Sequence, residues 1–197
     1  RLPIAFFLLS VYSFFSRGLA FPVDATGRTW FWLFISGFIG FVLGDIFLFQ
    51  AYVEIGSRVS LLIMSAAPPL TALFGFIIMG EKISALGLLG IFVTMAGICL
   101  VILSRNPVEK KVEFNRPVKG IIYACLGALG QAFGLIFSKL GLGSYDPFAG
   151  TQIRVIAAFM AFTVIITARK KWPEIREAFN NMKAIGEIAL GAVFGPF

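Results

Sequence analysis

The chain has 197 residues, of which 58% are hydrophobic and only 14% charged, and its mean hydropathy is +0.91. A soluble domain carries about a quarter charged residues, so these proportions exclude an ordinary soluble core and point to an integral membrane protein. The net charge of +7 does not argue for nucleic acid, because the basic residues lie mostly between apolar runs, as cytoplasmic loops require.

Seven apolar segments follow one another, separated by polar, helix-breaking clusters: Leu2–Phe15, Trp30–Tyr52, Ser57–Met79, Ser84–Ser104, Val118–Leu140, Pro147–Ala168 and Met182 to the end. None alternates with period two, so a transmembrane barrel is excluded and the fold class is all-α, a polytopic helical bundle. At about 1.5 Å per residue, Ser57–Met79 reaches about 34 Å, enough for a hydrocarbon layer of about 30 Å. The first segment starts directly after Arg1 with LPIAFFLLSVYSFF, and the last stops inside AIGEIALGAVFGPF. The ends therefore read as cuts within a membrane domain, and no signal peptide is evident.

The second segment opens with Trp30 and Trp32, where an aromatic belt would sit. Gly37, Gly40 and Gly44 put small residues on adjoining turns, and Gly40-x-x-x-Gly44 is a helix-packing spacing. Asp45 follows near mid-helix. A carboxylate at that depth costs several kcal/mol unless it faces a partner or water, so it is a functional-site candidate, with a purely structural bond to a neighbouring helix as the other reading. Gln50 lies beyond it.

The third segment carries Ser65 and the pair Pro68-Pro69. The prolines clash with the carbonyls of Met64 and Ser65 and leave them without donors. Irregular backbone at membrane depth survives only against protein or a water-filled cavity, so the break is a candidate gating point as well as a plain kink. The polar turn Gly80-Glu81-Lys82 leads to a fourth segment with Gly87, Gly90, Thr94 and Gly97 on one side. The fifth segment has a small-residue stripe through Gly120, Ala124, Gly127, Gln131, Gly134 and Ser138, which places Gln131 on the bundle-facing side. Lys139 stands near its end, where it can reach the headgroups.

Asp146-Pro147 reads as an N-cap and first helical residue. Gln152 and Arg154 follow within two turns, and Arg154 is suited either to an anionic group or to reaching the interface. Basic loops cover Arg105–Lys119 and Arg169–Lys183, and the latter has Trp172, Ile175, Phe179 and Met182 at the spacing of an amphipathic surface helix. The two cysteines, Cys99 and Cys125, sit inside apolar runs, and without histidine no metal site or cofactor is called for.

The chain repeats itself weakly. Arg1, Ala5 and Phe6 recur as Arg154, Ala158 and Phe159, each followed by a basic loop and a glycine-bearing helix, with Gly37 and Gly40 in one and Gly191 and Gly195 in the other. Internal repeats are a hallmark of secondary transporters. The runs LFISGFIGFVLGDIFLFQAY, PPLTALFGFIIMGEKIS and LGIFVTMAGICLVIL closely resemble an EamA-type repeat of the drug/metabolite transporter superfamily. GALGQAFGLIFSKLGL, YDPFAGTQIR and GAVFGPF resemble the start of a second one. The resemblance covers essentially the whole chain, and the order and spacing of the motifs are its specific part.

That resemblance implies ten helices in two inverted five-helix repeats. Residues 1–104 would hold helices two to five of the first, 105–118 a basic linker, and 119–197 helices one to three of the second. It implies a multi-pass protein of a bacterial inner (plasma) membrane that moves small metabolites or drug-like solutes by alternating access. Asp45, by its titration, is the candidate for proton coupling, and the absence of a Gly-x-x-x-x-Gly-Lys run argues against ATP-driven pumping. The cavity candidates are Asp45, Gln50, Ser65, Gln131 and Arg154. Pro68 and Pro69 are the gating candidates, and Gly40, Gly44, Gly90, Gly97, Gly127 and Gly134 the packing ones. The usual family plan also places the face bearing both basic loops outside. The charge bias places it inside, because the opposite face holds only Arg17, Arg28, Lys82, Lys139 and Arg154 of 17 basic residues.

A membrane-embedded enzyme is the contrasting reading. It needs a nucleophile with a base or a metal cluster, and neither Gly-x-Ser-x-Gly nor Gly-x-x-x-x-Gly-Lys occurs. A channel or a scaffold is the third.

Overall fold

The computed structural model describes residues 2–103, 115–170 and 186. The expected surface helix after Arg169 and the final segment with Gly191 and Gly195 lie outside the described residues, as does most of the 105–118 linker. Every regular element among the described residues is helical. They are α1 (Leu2–Arg17), α2 (Gly27–Gly37), a π-helix (Phe38–Gly44), α3 (Asp45–Ile55), α4 (Ser57–Met64), α5 (Ala67–Met79), α6 (Ala85–Leu103), α7 (Asn115–Leu142) and α8 (Pro147–Ala168). Four stretches are long and apolar enough to cross a membrane: Gly27–Ile55, Ser57–Met79, Val118–Leu142 and Pro147–Ala168. Leu2–Arg17 and Ala85–Leu100 are apolar but shorter.

The helix ends follow from local chemistry. Thr26 caps α2 by accepting from the Thr29 amide at 3.3 Å, and Asp146 caps α8 by accepting from the Ala149 amide at 2.8 Å, with Pro147 at the first helical position. Gly80, at φ +67°, closes α5 in the left-handed conformation that only glycine adopts cheaply. Its amide donates to the Phe76 carbonyl, and the Glu81 amide donates to Gly75. The Gly80-Glu81-Lys82 turn is thus a helix stop.

The third span is interrupted at Ser65-Ala66. The amides there still donate to Leu61, Leu62 and Ile63, and the Ser65 hydroxyl donates to the Leu62 carbonyl at 2.6 Å. Pro68 and Pro69 sit in the first turn of α5, where a missing N–H costs nothing.

The described chain falls into two compact units. One comprises 1–38 with 137–197, the other 39–136. In the first, α8 packs against both α1 and α2. Leu33 is fully buried, and Trp32 stacks on Phe137 at 5.8 Å between ring centroids. Glycines set these spacings. A Cβ on Gly141 would lie 2.7 Å from Trp32 Cβ, and one on Gly37 would run into the Arg154 carbonyl oxygen and lie 2.9 Å from its Cα.

In the second unit, Ala51, Ile55, Ile63 and Ala124 form a core joining α3, α4 and α7, with Val59, Ile121 and Tyr123 around it. Phe74 of α5 stacks on Phe133 of α7 at 4.7 Å. α6 lies against α4 and α5, and a Cβ at Gly90 or Gly97 would meet nothing within 4 Å. Large apolar side chains such as Phe7, Phe15, Leu86 and Phe92 are exposed, which suits a surface that faces lipid. With this span pattern and composition, the chain is an all-α polytopic membrane protein.

Gly37→Ala forces apart two backbones that cannot give locally, so a loss of about 1–3 kcal/mol is expected. Gly90→Ala fills open space and, by helix propensity, gains up to about 1 kcal/mol. Thermal unfolding of the two variants in detergent checks the contrast: a lower Tm for the first, an equal or higher Tm for the second.

Candidate functional site

The seven-residue π-helix Phe38–Gly44 ends immediately before Asp45, which lies in the 39–136 unit. Short π segments break the regular i→i−4 ladder and occur at functional positions. At this junction α7 comes close because both helices are bare. A Cβ on Gly130 would lie 3.1 Å from Gly44 Cα and 3.2 Å from Gly44 N, and one on Gly127 would lie 3.2 Å from the Gly44 carbonyl oxygen. The close approach brings Gln131 to Asp45, and the Gln131 Nε2 donates to Asp45 Oδ1 at 3.4 Å. Both side chains are half-buried.

Of the other residues singled out in the sequence, Ser65 and Gln50 are exposed. The Ser65 hydroxyl is taken up by its own helix. Lys139 is exposed. Arg154, in the other unit, is buried at 6% exposure, with Gly37 against its backbone. The sequence-derived set is therefore divided: Asp45 and Gln131 meet in one unit, and Arg154 lies in the other.

A second polar cluster, in the unit that holds Arg154, lies between α8 and α1. Gln152 is fully buried. Its Nε2 donates to Ser10 Oγ at 2.8 Å and to the Ala20 carbonyl at 2.7 Å, while Ser10 donates to the Phe6 carbonyl at 2.8 Å. Gln152 Oε1 and the buried Ser13 hydroxyl oxygen have no hydrogen-bond partner among the described residues. A buried polar atom left unpaired costs about 1–3 kcal/mol, which is a recognised mark of a site under functional constraint. Gln152 is absent from the sequence-derived candidates, although the signal was there. It is an amide two residues before Arg154 in an otherwise apolar run.

A third polar group joins two loops of the same unit. Arg17 ends α1, Asp24 lies in the α1–α2 loop, and Tyr145 lies in the α7–α8 turn. Arg17 Nη2 pairs with Asp24 Oδ2. The Tyr145 hydroxyl donates to Asp24 Oδ1 at 2.9 Å and accepts from Arg17 Nη1 at 3.4 Å, and the guanidinium sits 5.0 Å from the ring centroid. Partial burial works against ionisation of Asp24. The Tyr145 hydrogen bond, a backbone N–H and the Arg17 charge outweigh it, so the carboxyl lies below its ordinary 3.8. Burial pushes the Tyr145 phenol up, with Asp24 reinforcing and Arg17 opposing.

The profile of the EamA-like transporter family matches residues 1–103, more than half of the chain. The chain belongs to the EamA-like transporter family. No curated protein and no solved structure matches it significantly. Membership makes it a membrane transporter of small solutes, in a family of transporters rather than enzymes.

Because Asp24 is more acidic folded than unfolded, it contributes stability above its ordinary 3.8 that disappears as pH falls through the lower folded value. Unfolding followed from roughly pH 5 to pH 3 should show the parent losing more stability than Asp24→Asn over that window. Parallel curves would mean that the pairing does not hold the folded state.

Proposed function

We propose that this chain forms much of a secondary transporter that moves small metabolites or drug-like solutes by alternating access, driven by a gradient and not by ATP. The reading takes residues 1–104 as the first repeat without its first helix, 105–118 as the linker and 119–197 as part of the second, in a bacterial inner (plasma) membrane.

The observation that carries it is the Asp45–Gln131 contact. A carboxylate in the middle of a 29-residue apolar span is costly to keep without a task. Here it stands where the helix changes pitch and where two glycine-bearing backbones meet. Such a carboxylate can exchange a proton as its surroundings alternate between wet and dry, and Gln131 satisfies an oxygen of the ionised form. Proton movement is then coupled to solute movement through Asp45, with Gln131 as the positioning partner. Ser65, Gln50, Arg154 and the α4–α5 break at Pro68-Pro69 remain further candidates for the cavity and its gate.

The test is uptake into proteoliposomes made with the full-length protein, using a panel of labelled amino acids, nucleotide-related metabolites and a cationic drug under an imposed pH gradient. Asp45→Asn is expected to lower the gradient-driven rate at least about tenfold, equivalent to about 1.4 kcal/mol, and to flatten its pH dependence. A variant that transports at the parent rate with the parent pH profile would remove Asp45 from the coupling.

A further inference from the structure

The α1–α2 loop, residues 18–26, is fastened at two levels, and both fastenings reach the start of α8. At the outer level, Asp24 is held by the Arg17 guanidinium and the Tyr145 hydroxyl. At the inner level, the Ala20 carbonyl accepts from Gln152 Nε2, the amide that also bonds Ser10. Between them Phe21 packs on Phe6, with ring centroids 6.0 Å apart, and Pro22 is fully buried. The loop leaves α1 through Gly18 at φ +72° and enters α2 through the Thr26 cap.

The two fastenings differ in kind. The outer one is half-exposed and polar, so water can replace each of its contacts at small cost. The inner one is dry, and there the loop backbone occupies a donor of an amide whose oxygen is already unpaired. A loop built only as a brace has no need of an amide left half-satisfied beneath it. We infer that residues 18–26 are a latched gate: Arg17, Asp24 and Tyr145 form the catch, and lifting the loop frees the Gln152 amide, with the Ser10 and Ser13 hydroxyls near it on α1, for a polar solute. The inference rests on the transporter reading for its purpose but not for its test.

The test is hydrogen exchange by mass spectrometry on the full-length protein in lipid nanodiscs, with no solute present. Asp24→Asn and Tyr145→Phe each weaken the catch without touching the helix core. Each should speed exchange of the loop and of the first turns of α8 by about two- to fivefold, as the loss of one half-exposed polar contact allows. Exchange in α3 should not change. In a second variant carrying Asp24→Cys and Tyr145→Cys, with Cys99 and Cys125 replaced by Ala, a short bis-maleimide spans the catch. Bridging should slow exchange of the same segments below the rate of the unbridged variant, because a gate that opens spontaneously is being held shut. Unchanged exchange in the single variants would overturn the catch, and unchanged exchange on bridging would make the loop a static brace. Neither outcome depends on solute flux, so failure of the gate and failure of the transport reading are told apart.

Discussion

In a hydrocarbon layer the backbone must satisfy itself within each helix, and apolar side chains gain nothing by leaving lipid for one another. What then holds the helices together is close approach. The arrangement depends on a few places where two backbones come into direct contact: Gly37 with Arg154 in one unit, and Gly44 with Gly127 and Gly130 in the other. A Cβ at Gly37 would overlap the Arg154 backbone, and one at Gly127 or Gly130 would crowd the Gly44 backbone at 3.2 and 3.1 Å, whereas one at Gly44 would make ordinary contact at 3.5 Å. The meeting of Asp45 with Gln131 stands directly beside one of these contacts.

The hydroxyl groups show how tightly polar chemistry is rationed in the same setting. Ser60, Thr71, Thr94, Thr151, Thr163 and Thr167 each donate to the carbonyl four residues back, so they settle their needs inside their own helix. Other side chains reach a different element. Gln131 reaches Asp45, Gln152 reaches Ser10 and Ala20, and Arg17 and Tyr145 reach Asp24. Each of these carries a desolvation cost that packing alone would avoid, and for that reason each is a place to look for function.

The helices were legible in the sequence because lipid demands long apolar runs, and run length is a one-dimensional property. The Asp146 cap and the Gly80 stop were legible for a similar reason, since both act within four residues of themselves. Other features were not. The change of pitch at Phe38–Gly44 leaves no mark in composition, because glycine and phenylalanine serve equally in an ordinary span. The contacts of Gln152 with Ser10 and of Tyr145 with Asp24 join residues 142 and 121 positions apart, and no pattern along one chain predicts such a meeting. The glycine stripe of α7 shows the boundary between the two cases. Its periodicity announces a packed face, while the identity of the partner, the end of the π-helix at Gly44, comes only from three dimensions.

Alternating access is the central claim, and counterflow tests it most directly. Proteoliposomes of the full-length protein are preloaded with an unlabelled solute from the panel and diluted into the same solute carrying label. A carrier that exposes one site to each side in turn accumulates label transiently above its equilibrium level, with no gradient applied and with a rate that saturates. Label that only equilibrates, at a rate proportional to concentration and with net charge movement, would contradict alternating access and indicate a channel.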